Sequence, residues 1–147
     1  MYRKSGVAQV VILACGALLV VPSTALQAEQ GNKKPSLSLK ASPSVSFAPS
    51  RVVLVAEVKN GANDNEDFYC PTVEWEWGDL TTSVAETDCA PYEAGKSEIK
   101  RRYTIQHQFK NPGGFKVVLR LKKGSKVVAT ANTQVQVRAG LGQFGGQ

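Results

Sequence analysis

Apolar residues recur at every second position in several segments of this chain, and this alternation limits what the chain can fold into. Val73, Trp75 and Trp77, for example, alternate with Glu74 and Glu76. A period of two puts successive side chains on opposite faces of a β-strand. The alternation recurs at 37–39, 115–122 and 127–137 and more loosely at 99–109, whereas 51–58 is a β-branched run typical of a central strand. No stretch has the period of a helix, so the sequence predicts an all-β fold.

Segments rich in proline, glycine and asparagine separate the predicted strands. Asn-Pro-Gly-Gly at 111–114 lies between two of them, and Lys-Lys-Gly-Ser at 122–125 predicts a tight hairpin between the last two. Gly124 can adopt the positive φ that such a hairpin turn requires. Short strands divided by turns of this kind are typical of a β-sandwich or barrel.

The first 28 residues have the three-part pattern of a secretory signal peptide. Arg3 and Lys4 form a basic start, an apolar run follows over Val7–Val21, and small residues lead to Ala28. We expect cleavage after Ala28, with cleavage after Ala25 as the alternative. The apolar run is shorter than the roughly 20 residues of a membrane span, which disfavours a retained anchor.

Cys15 raises the alternative of a lipoprotein, because Ile12–Cys15 resembles a bacterial lipoprotein cleavage box. The chain stays apolar over Gly16–Val21, where a lipid-modified chain would turn polar. Cleavage without lipid is therefore the preferred interpretation. Beyond the leader, we expect a disordered lead-in at 29–36, one β-sandwich domain at 37–138 and a flexible tail with four glycines at 139–147.

Two cysteines, Cys70 and Cys89, remain after the leader is removed. In an exported chain they indicate one disulfide, and without a neighbouring histidine they cannot complete a zinc site. The 18 basic residues become 16 when Arg3 and Lys4 leave, against 12 acidic ones, a net charge of +4. We therefore expect a mildly basic secreted or periplasmic protein with no nucleic-acid partner and no membrane span after cleavage.

Two segments, 75–79 and 107–121, carry a resemblance to a known domain family. Trp-Glu-Trp-Gly-Asp is similar to W-D-F-G-D-G, and the second segment is similar to H-x-Y-x-x-P-G-x-Y-x-V-x-L-x-V, both of the PKD (polycystic kidney disease) family. The resemblance implies an immunoglobulin-like antiparallel β-sandwich and a binding or spacer module of an extracellular protein. It also implies a structural role for a signature set consisting of Trp75, Trp77, Gly78, Asp79, His107, Gly113 and Phe115.

The chain departs from the family pattern at several positions. Leu80 replaces the last glycine of G-D-G, so we expect a different turn there. Phe109 and Phe115 replace tyrosines, which keeps the rings and removes the hydroxyls. The cysteine pair does not belong to the general pattern either.

The spacing of the cysteines leads to a hypothesis about a hairpin. If 78–81 forms the turn, Cys70 faces Cys89 and Trp75 faces Val84. The disulfide would then close the open end of the hairpin. Because the second arm, 82–88, is polar and a poor strand, the cross-link would compensate for its weak packing.

Residues that could carry chemistry have simpler explanations. His107 is the only histidine, and no G-x-S-x-G elbow accompanies it, so we expect a structural role. Glu74 and Glu76 share a strand face, which suits a glycosidase pair and equally a solvated surface. No phosphate-binding or dinucleotide loop is present. We expect no enzyme and no cofactor.

Charged clusters leave two alternatives open. The loop 63–67, Asn-Asp-Asn-Glu-Asp, offers oxygens that calcium favours but lacks the EF-hand spacing and glycine, so a solvated loop is preferred over a calcium site. Basic residues on one strand face could meet an anionic glycan or form an ordinary charged exterior. They are Lys116, Arg120 and Lys122, with Lys100 and Arg102 on another face.

The resemblance implies a non-catalytic exported module for protein or carbohydrate contact. A structural or spacer component of an envelope or surface assembly is the second interpretation, and a small hydrolase or inhibitor the third. Candidate contact residues are the aromatics near the disulfide, Phe68, Tyr69 and Tyr92, because rigid aromatics with a polar tip suit sugars and protein interfaces.

Overall fold

The computed structural model describes residues 33–140, so the predicted signal peptide, Cys15, most of the lead-in and the tail from 141 lie outside it. The described chain forms eight strands and one turn of 3-10 helix. In chain order these are β1 Ser36–Ser42, β2 Val45–Phe47, β3 Ser50–Lys59, the 3-10 turn Glu66–Phe68, β4 Thr72–Glu76, β5 Thr82–Ala85, β6 Arg102–Phe109, β7 Gly113–Lys123 and β8 Lys126–Arg138.

The strands form two sheets that enclose one core. One sheet has the order β1-β3-β6, and the other has the order β2-β8-β7-β4-β5. Neighbouring strands are antiparallel except β2, which runs parallel to β8. The predicted all-β sandwich is confirmed. Within residues 33–140, no helix has the length and apolar character to cross a membrane.

Alternation along the strands produces the core. On β3, the side chains of Val52, Leu54, Ala56 and Val58 are buried, while the residues between them are half-buried. β7 contributes a matching inward row from the opposite sheet. Burial of these rows removes apolar surface from water, which is the main favourable contribution to folding. The inward row of β7 is Val117, Leu119 and Leu121.

The two predicted turns differ in what they connect. Gly124, at φ +57°, begins the two-residue turn of the β7–β8 hairpin, as predicted. The segment 110–112, by contrast, carries the chain from β6 in one sheet to β7 in the other.

At the start of the domain, Ser36 already belongs to β1 and Pro35 is buried, so these two residues belong to the fold and not to a disordered lead-in.

The β4–β5 hairpin forms, but its predicted register is wrong by one residue. Trp75 faces Ser83, and Val84 faces Glu74. Trp77 N–H donates to the carbonyl of Thr81, so the turn has three residues, 78–80. The predicted register assumed a turn with two residues between its ends, and the extra residue shifts the pairing by one position. The Asp79 carboxylate accepts a hydrogen bond from Thr81 N–H and stabilises this longer turn.

Two residues of this turn have positive φ and contrasting surroundings. Gly78 lies at φ +78°, and a Cβ there would be 2.7 Å from the Lys116 carbonyl oxygen. Leu80 lies at φ +69° with its side chain fully exposed. Leu80 therefore adopts the left-handed backbone conformation that favours glycine.

We expect opposite effects of substitution at these two positions. Leu80→Gly should raise the free energy of unfolding by about 1 kcal/mol, because glycine relieves the left-handed strain and no packing is lost. Gly78→Ala should lower it, because the new Cβ would collide with the β7 backbone. Urea denaturation of both variants checks this. An unchanged or less stable Leu80→Gly protein would show that the position carries no strain.

Candidate functional site

The predicted disulfide between Cys70 and Cys89 is formed, with the two Cα atoms 6.3 Å apart. Cys70 precedes β4 and Cys89 follows β5, so the bond closes the open end of this hairpin. Three loops lie near it: 60–71, 86–101 and the β7–β8 turn. We call them the disulfide-end loops.

Hydrogen bonds from side chains to backbone join the disulfide-end loops. The Tyr92 hydroxyl donates to the carbonyl of Asp64, and the Tyr69 hydroxyl donates to the carbonyl of Ala90 at 3.0 Å. The two tyrosine rings pack with centroids 5.6 Å apart. Lys123, the last residue of β7 before the turn, donates from its Nζ to the Tyr69 carbonyl at 2.8 Å. All three loops are therefore tied to one another.

Arg101 fixes the base of these loops and was missed in the sequence analysis. Its guanidinium donates to the backbone carbonyls of Val58, Asn60 and Gly61 and to the side chain of Asn63, at 2.7–3.2 Å. A planar guanidinium with five donors suits such convergent acceptors. The only sequence signal was its place in a basic run, which says nothing about acceptors about 40 residues away.

The three predicted contact residues have different environments. Phe68 is only 3% exposed, so its assignment to a contact surface is wrong. It ends the 3-10 turn that the Asn65 side chain caps, and this turn places its ring in the core. Tyr69 and Tyr92 are half-buried and remain candidates.

The acidic loop 63–67 is engaged in protein contacts. Asp67 forms an ion pair with Lys126 at 2.9 Å, Asn65 caps the 3-10 turn, and Asn63 binds Arg101. Among residues 33–140, no group of three or more His, Cys, Asp or Glu side chains is placed to hold a metal. The loop is therefore organised by its own neighbours.

A small cavity of about 100 Å³ lies beside the disulfide. Its walls include both cysteines and Tyr103. The Tyr103 hydroxyl is buried and has no hydrogen-bond partner among the described residues. Burial raises the pKa of this phenol to about 12.

At the opposite end, aromatic side chains from both sheets form a continuous row, which we call the aromatic row. Trp77 stacks on Trp75 with centroids 5.5 Å apart and on His107 at 4.1 Å. His107 meets the edge of Phe109, which packs on Phe115 at 4.5 Å. The two segments that carried the family resemblance thus meet in space. Gly113 starts β7 beside Phe115.

His107 is held by a carboxylate of the β4–β5 turn. Its Nε2 lies 2.7 Å from Asp79 Oδ2, and both side chains are mostly buried. The neighbouring Trp77 indole donates to the Ser83 hydroxyl at 2.9 Å. No serine, threonine or cysteine side chain in the described part of the chain hydrogen-bonds to His107. The arrangement supports the packing of the two sheets and lacks the nucleophile–base contact of a hydrolase.

A cleft of about 500 Å³ opens beside the aromatic row, between the edges of the two sheets. β5 and its turn contribute one wall, and the end of β6 contributes the other. His107 and Phe115 are partly exposed at its base. Hydroxyl and amide side chains around the opening are Thr81, Thr82, Ser83, Gln108 and Asn111.

The Asp79–His107 contact predicts a pH dependence of stability. Burial raises the pKa of Asp79, but hydrogen bonds from Thr81 and His107 outweigh it and hold this pKa below its ordinary value of 3.8. Such a carboxylate stabilises the fold fully above its unfolded-state pKa, and the contribution is lost as pH falls through the folded-state pKa. Stability should therefore fall on acidification below about pH 4.

The variant Asp79→Asn checks this expectation. It should lower the free energy of unfolding by about 1–2 kcal/mol at neutral pH, because charge-assisted hydrogen bonds are lost. It should also flatten the fall in stability at acidic pH. Asp88→Asn, at an exposed position, is the matched control. Identical acid profiles for wild type and Asp79→Asn would contradict the assignment.

On the outer face of the five-stranded sheet, the predicted glutamate pair and basic residues neutralise each other. Arg120 contacts Glu74 at 3.1 Å and Glu76 at 2.9 Å, and Lys122 contacts Glu74 at 3.2 Å. The hydrogen bond from Lys122 is the main cause of the lowered pKa of Glu74. Lys116 is exposed on the same strand. This pairing favours the interpretation as a charged exterior over a glycosidase pair.

Comparison with known proteins found no matching family model and no matching curated protein. Among solved structures, the chain is similar to the PKD domain of an M14-like peptidase from Thermoplasmatales archaeon SCGC AB-540-F20, at 15% identity over 73% of this chain and 98% of that one, with a TM-score of 0.48. It is similar to the CARDB domain of PF1109 from Pyrococcus furiosus, at 13% identity over 71% and 94%, with a TM-score of 0.48. A superoxide reductase (neelaredoxin) from Ignicoccus hospitalis matches at 14% identity over 71% and 82%, with a TM-score of 0.42.

Proposed function

We propose that this protein is an exported, non-catalytic β-sandwich module that contacts a protein or carbohydrate partner through its disulfide-end loops. The observation that carries the proposal is the tying of all three loops by side-chain hydrogen bonds and one disulfide. Loops held on a rigid scaffold are a common recognition surface, because binding then orders few additional residues.

The length and exposure of one loop support this assignment. Residues 86–101 join β5 to β6 without a strand or helix, and most of their side chains are exposed. Loops of this length without regular structure are uncommon in compact domains and are often functional. The half-buried rings of Tyr69 and Tyr92 lie where this loop meets 60–71. Their hydroxyls donate to backbone carbonyls of the loops, so the exposed parts of the rings are the surface that a partner would contact.

The experiment compares loop variants with sheet-face variants. The purified mature protein is tested on insoluble polysaccharides and on an array of exported proteins from the same source. Tyr69→Ala with Tyr92→Ala should weaken any binding found by at least about tenfold, the equivalent of about 1.4 kcal/mol. The double variant must keep a wild-type thermal transition to be informative, and Tyr69→Phe with Tyr92→Phe keeps the rings as a milder test.

The matched control reverses charges on the outer sheet face, at Lys116, Arg120 and Lys122. It should leave binding unchanged. Binding that survives the tyrosine variants and is lost in the charge-reversal variant would place the site on the sheet face and contradict the proposal. No binding to either panel would favour a structural or spacer role.

Export is the second part of the proposal. The disulfide supports it, because such bonds persist in oxidising compartments. The mature protein should begin at or near Glu29 and carry no lipid. Intact mass and N-terminal sequencing of the exported protein test this, and a chain that begins at an acylated Cys15 would refute it.

A further inference from the structure

The two sheets of the described chain have four edge strands, and three of them carry residues that disfavour pairing with another strand. β1 contains Lys40 between Pro35 and Pro43, and the three-residue β2 lies between two prolines, Pro43 and Pro49. β6 begins at Arg102 and follows two further basic residues. Lysine, arginine and proline at edges are common means of blocking edge-to-edge association.

β5 lacks these features. Among residues 33–140 it pairs with β4 alone, and the chain from Leu80 to Ala90 contains no lysine, arginine or proline. Two apolar side chains of β5 and the turn before it are exposed. Val84, in the strand, is 59% exposed, and Leu80, in the turn, is 104% exposed. The segment beyond β5 continues exposed to Ala90. This edge is the least protected of the four.

The ladder between β4 and β5 defines which backbone groups of β5 are free. Trp77 N–H donates to Thr81, so residues 77 and 81 form a hydrogen-bonded pair. Because such pairs alternate in an antiparallel ladder, Ser83 also bonds to β4. The N–H and C=O groups of Thr82 and Val84 therefore point away from β4. An added strand would find donors and acceptors at these two residues.

The cleft beside the aromatic row lies along this edge. Thr81, Thr82 and Ser83 form its β5 wall, with His107 and Phe115 at its base. A strand paired with β5 would direct alternate side chains toward this cleft, because side chains alternate between the two faces of a sheet. Backbone pairing with a pocket for alternate side chains is the established geometry of strand addition.

Charge distinguishes this segment from the rest of the protein. From Leu80 to Gly95 the chain carries Glu86, Asp88 and Glu93 and no basic residue, in a protein with 18 basic and 12 acidic residues. Glu86 and Asp88 are both exposed and directly follow β5. An extended partner segment along this edge would be matched by lysine or arginine near these carboxylates.

We propose that β5 is a strand-addition site for an extended, basic peptide segment of a partner protein. The segment pairs with the outward backbone groups of Thr82 and Val84, places a side chain in the cleft and sets basic residues against Glu86 and Asp88. The strand edge at Thr82 and Val84 lies outside the disulfide-end loops, whereas Glu86 and Asp88 belong to loop 86–101. The Val84 variants and the tyrosine variants therefore test the two proposals separately.

The test begins with a library of linear peptides displayed on phage and selected on the mature protein with its disulfide intact. A selected peptide is synthesised and added to the ¹⁵N-labelled protein, and amide hydrogen exchange is followed by NMR. We expect the Thr82 and Val84 amides to become protected, while the Ser83 amide, already bonded to β4, changes little. Selected sequences should be enriched in β-branched residues and in lysine or arginine.

Two variants at one position separate backbone pairing from side-chain contact. Val84→Pro removes an outward N–H and keeps the bonds to β4, and it should weaken peptide binding at least about tenfold. Val84→Thr keeps the N–H and the β-branched shape, and it should bind within about threefold of wild type. Equal binding by Val84→Pro and wild type would overturn the proposal.

Charge reversal provides a second, independent measurement. Glu86→Lys with Asp88→Lys should weaken binding of the selected peptide and reduce its dependence on salt, whereas Glu57→Lys on the opposite sheet should not. Peptides whose binding depends on Tyr69 and Tyr92 would overturn strand addition and support the loop site. Recovery of no peptide above the background of an uncoated surface would also overturn strand addition.

Discussion

Trp75→Ala is expected to lower the free energy of unfolding by about 3–5 kcal/mol, a large part of the stability of a domain of this size. Trp75 is 2% exposed and stacks on Trp77 at one end of the aromatic row. Truncation removes a large apolar surface and leaves a cavity that the surrounding β-sheets cannot close. Chemical denaturation followed by far-UV circular dichroism gives the value.

Val84→Ala, on the adjoining strand, is the matched control for this experiment. Its side chain is 59% exposed, and the change should alter stability by less than about 0.5 kcal/mol. A Trp75→Ala protein as stable as the control would contradict the burial of this side chain between the sheets.

Removal of the disulfide is expected to have the second-largest effect, about 2–4 kcal/mol. The bond spans a sequence separation of 19 and joins the ends of a hairpin whose second strand contributes little to the core. Without it, the unfolded chain gains conformational freedom, and within the described part of the chain β5 is held by its pairing with β4. The double variant Cys70→Ala with Cys89→Ala, compared with wild type by thermal and urea denaturation, measures the loss.

Alkylation under denaturing, non-reducing conditions controls for the state of the cysteines. The exported protein should incorporate no label at Cys70 or Cys89, and reduction should expose both. Two free thiols in the exported protein, or a double variant as stable as wild type, would refute a stabilising disulfide.

The site was predicted in part. Each motif segment was visible in the sequence, and alternation placed Trp75 and Trp77 on the same face, which the structure shows to be buried. Their meeting with His107 across the two sheets was not predictable, because it depends on strands that are distant in sequence. The register of the β4–β5 hairpin was wrong by one residue because a single hydrogen bond in the turn, from Trp77 to Thr81, decides it.

Two further features gave little local signal. β2 has only three residues, and its parallel pairing with β8 involves a partner about 90 residues away. Phe68 was predicted to be a contact residue because it is an aromatic near the disulfide, yet one capped turn directs it into the core. Arg101 shows the same difficulty, since its acceptors are backbone carbonyls of another loop.

The sequence by itself determined the all-β class, the positions of most strands and the pairing of the two cysteines. These depend on side-chain alternation, turn residues and the presence of two cysteines outside the predicted leader, all of which can be read from the sequence. Only the tertiary structure decided the strand order, the hairpin register, the burial of Phe68 and the cleft between β5 and β6. These depend on which distant strands pack together, and the free energy of that packing is shared among residues that no local pattern connects.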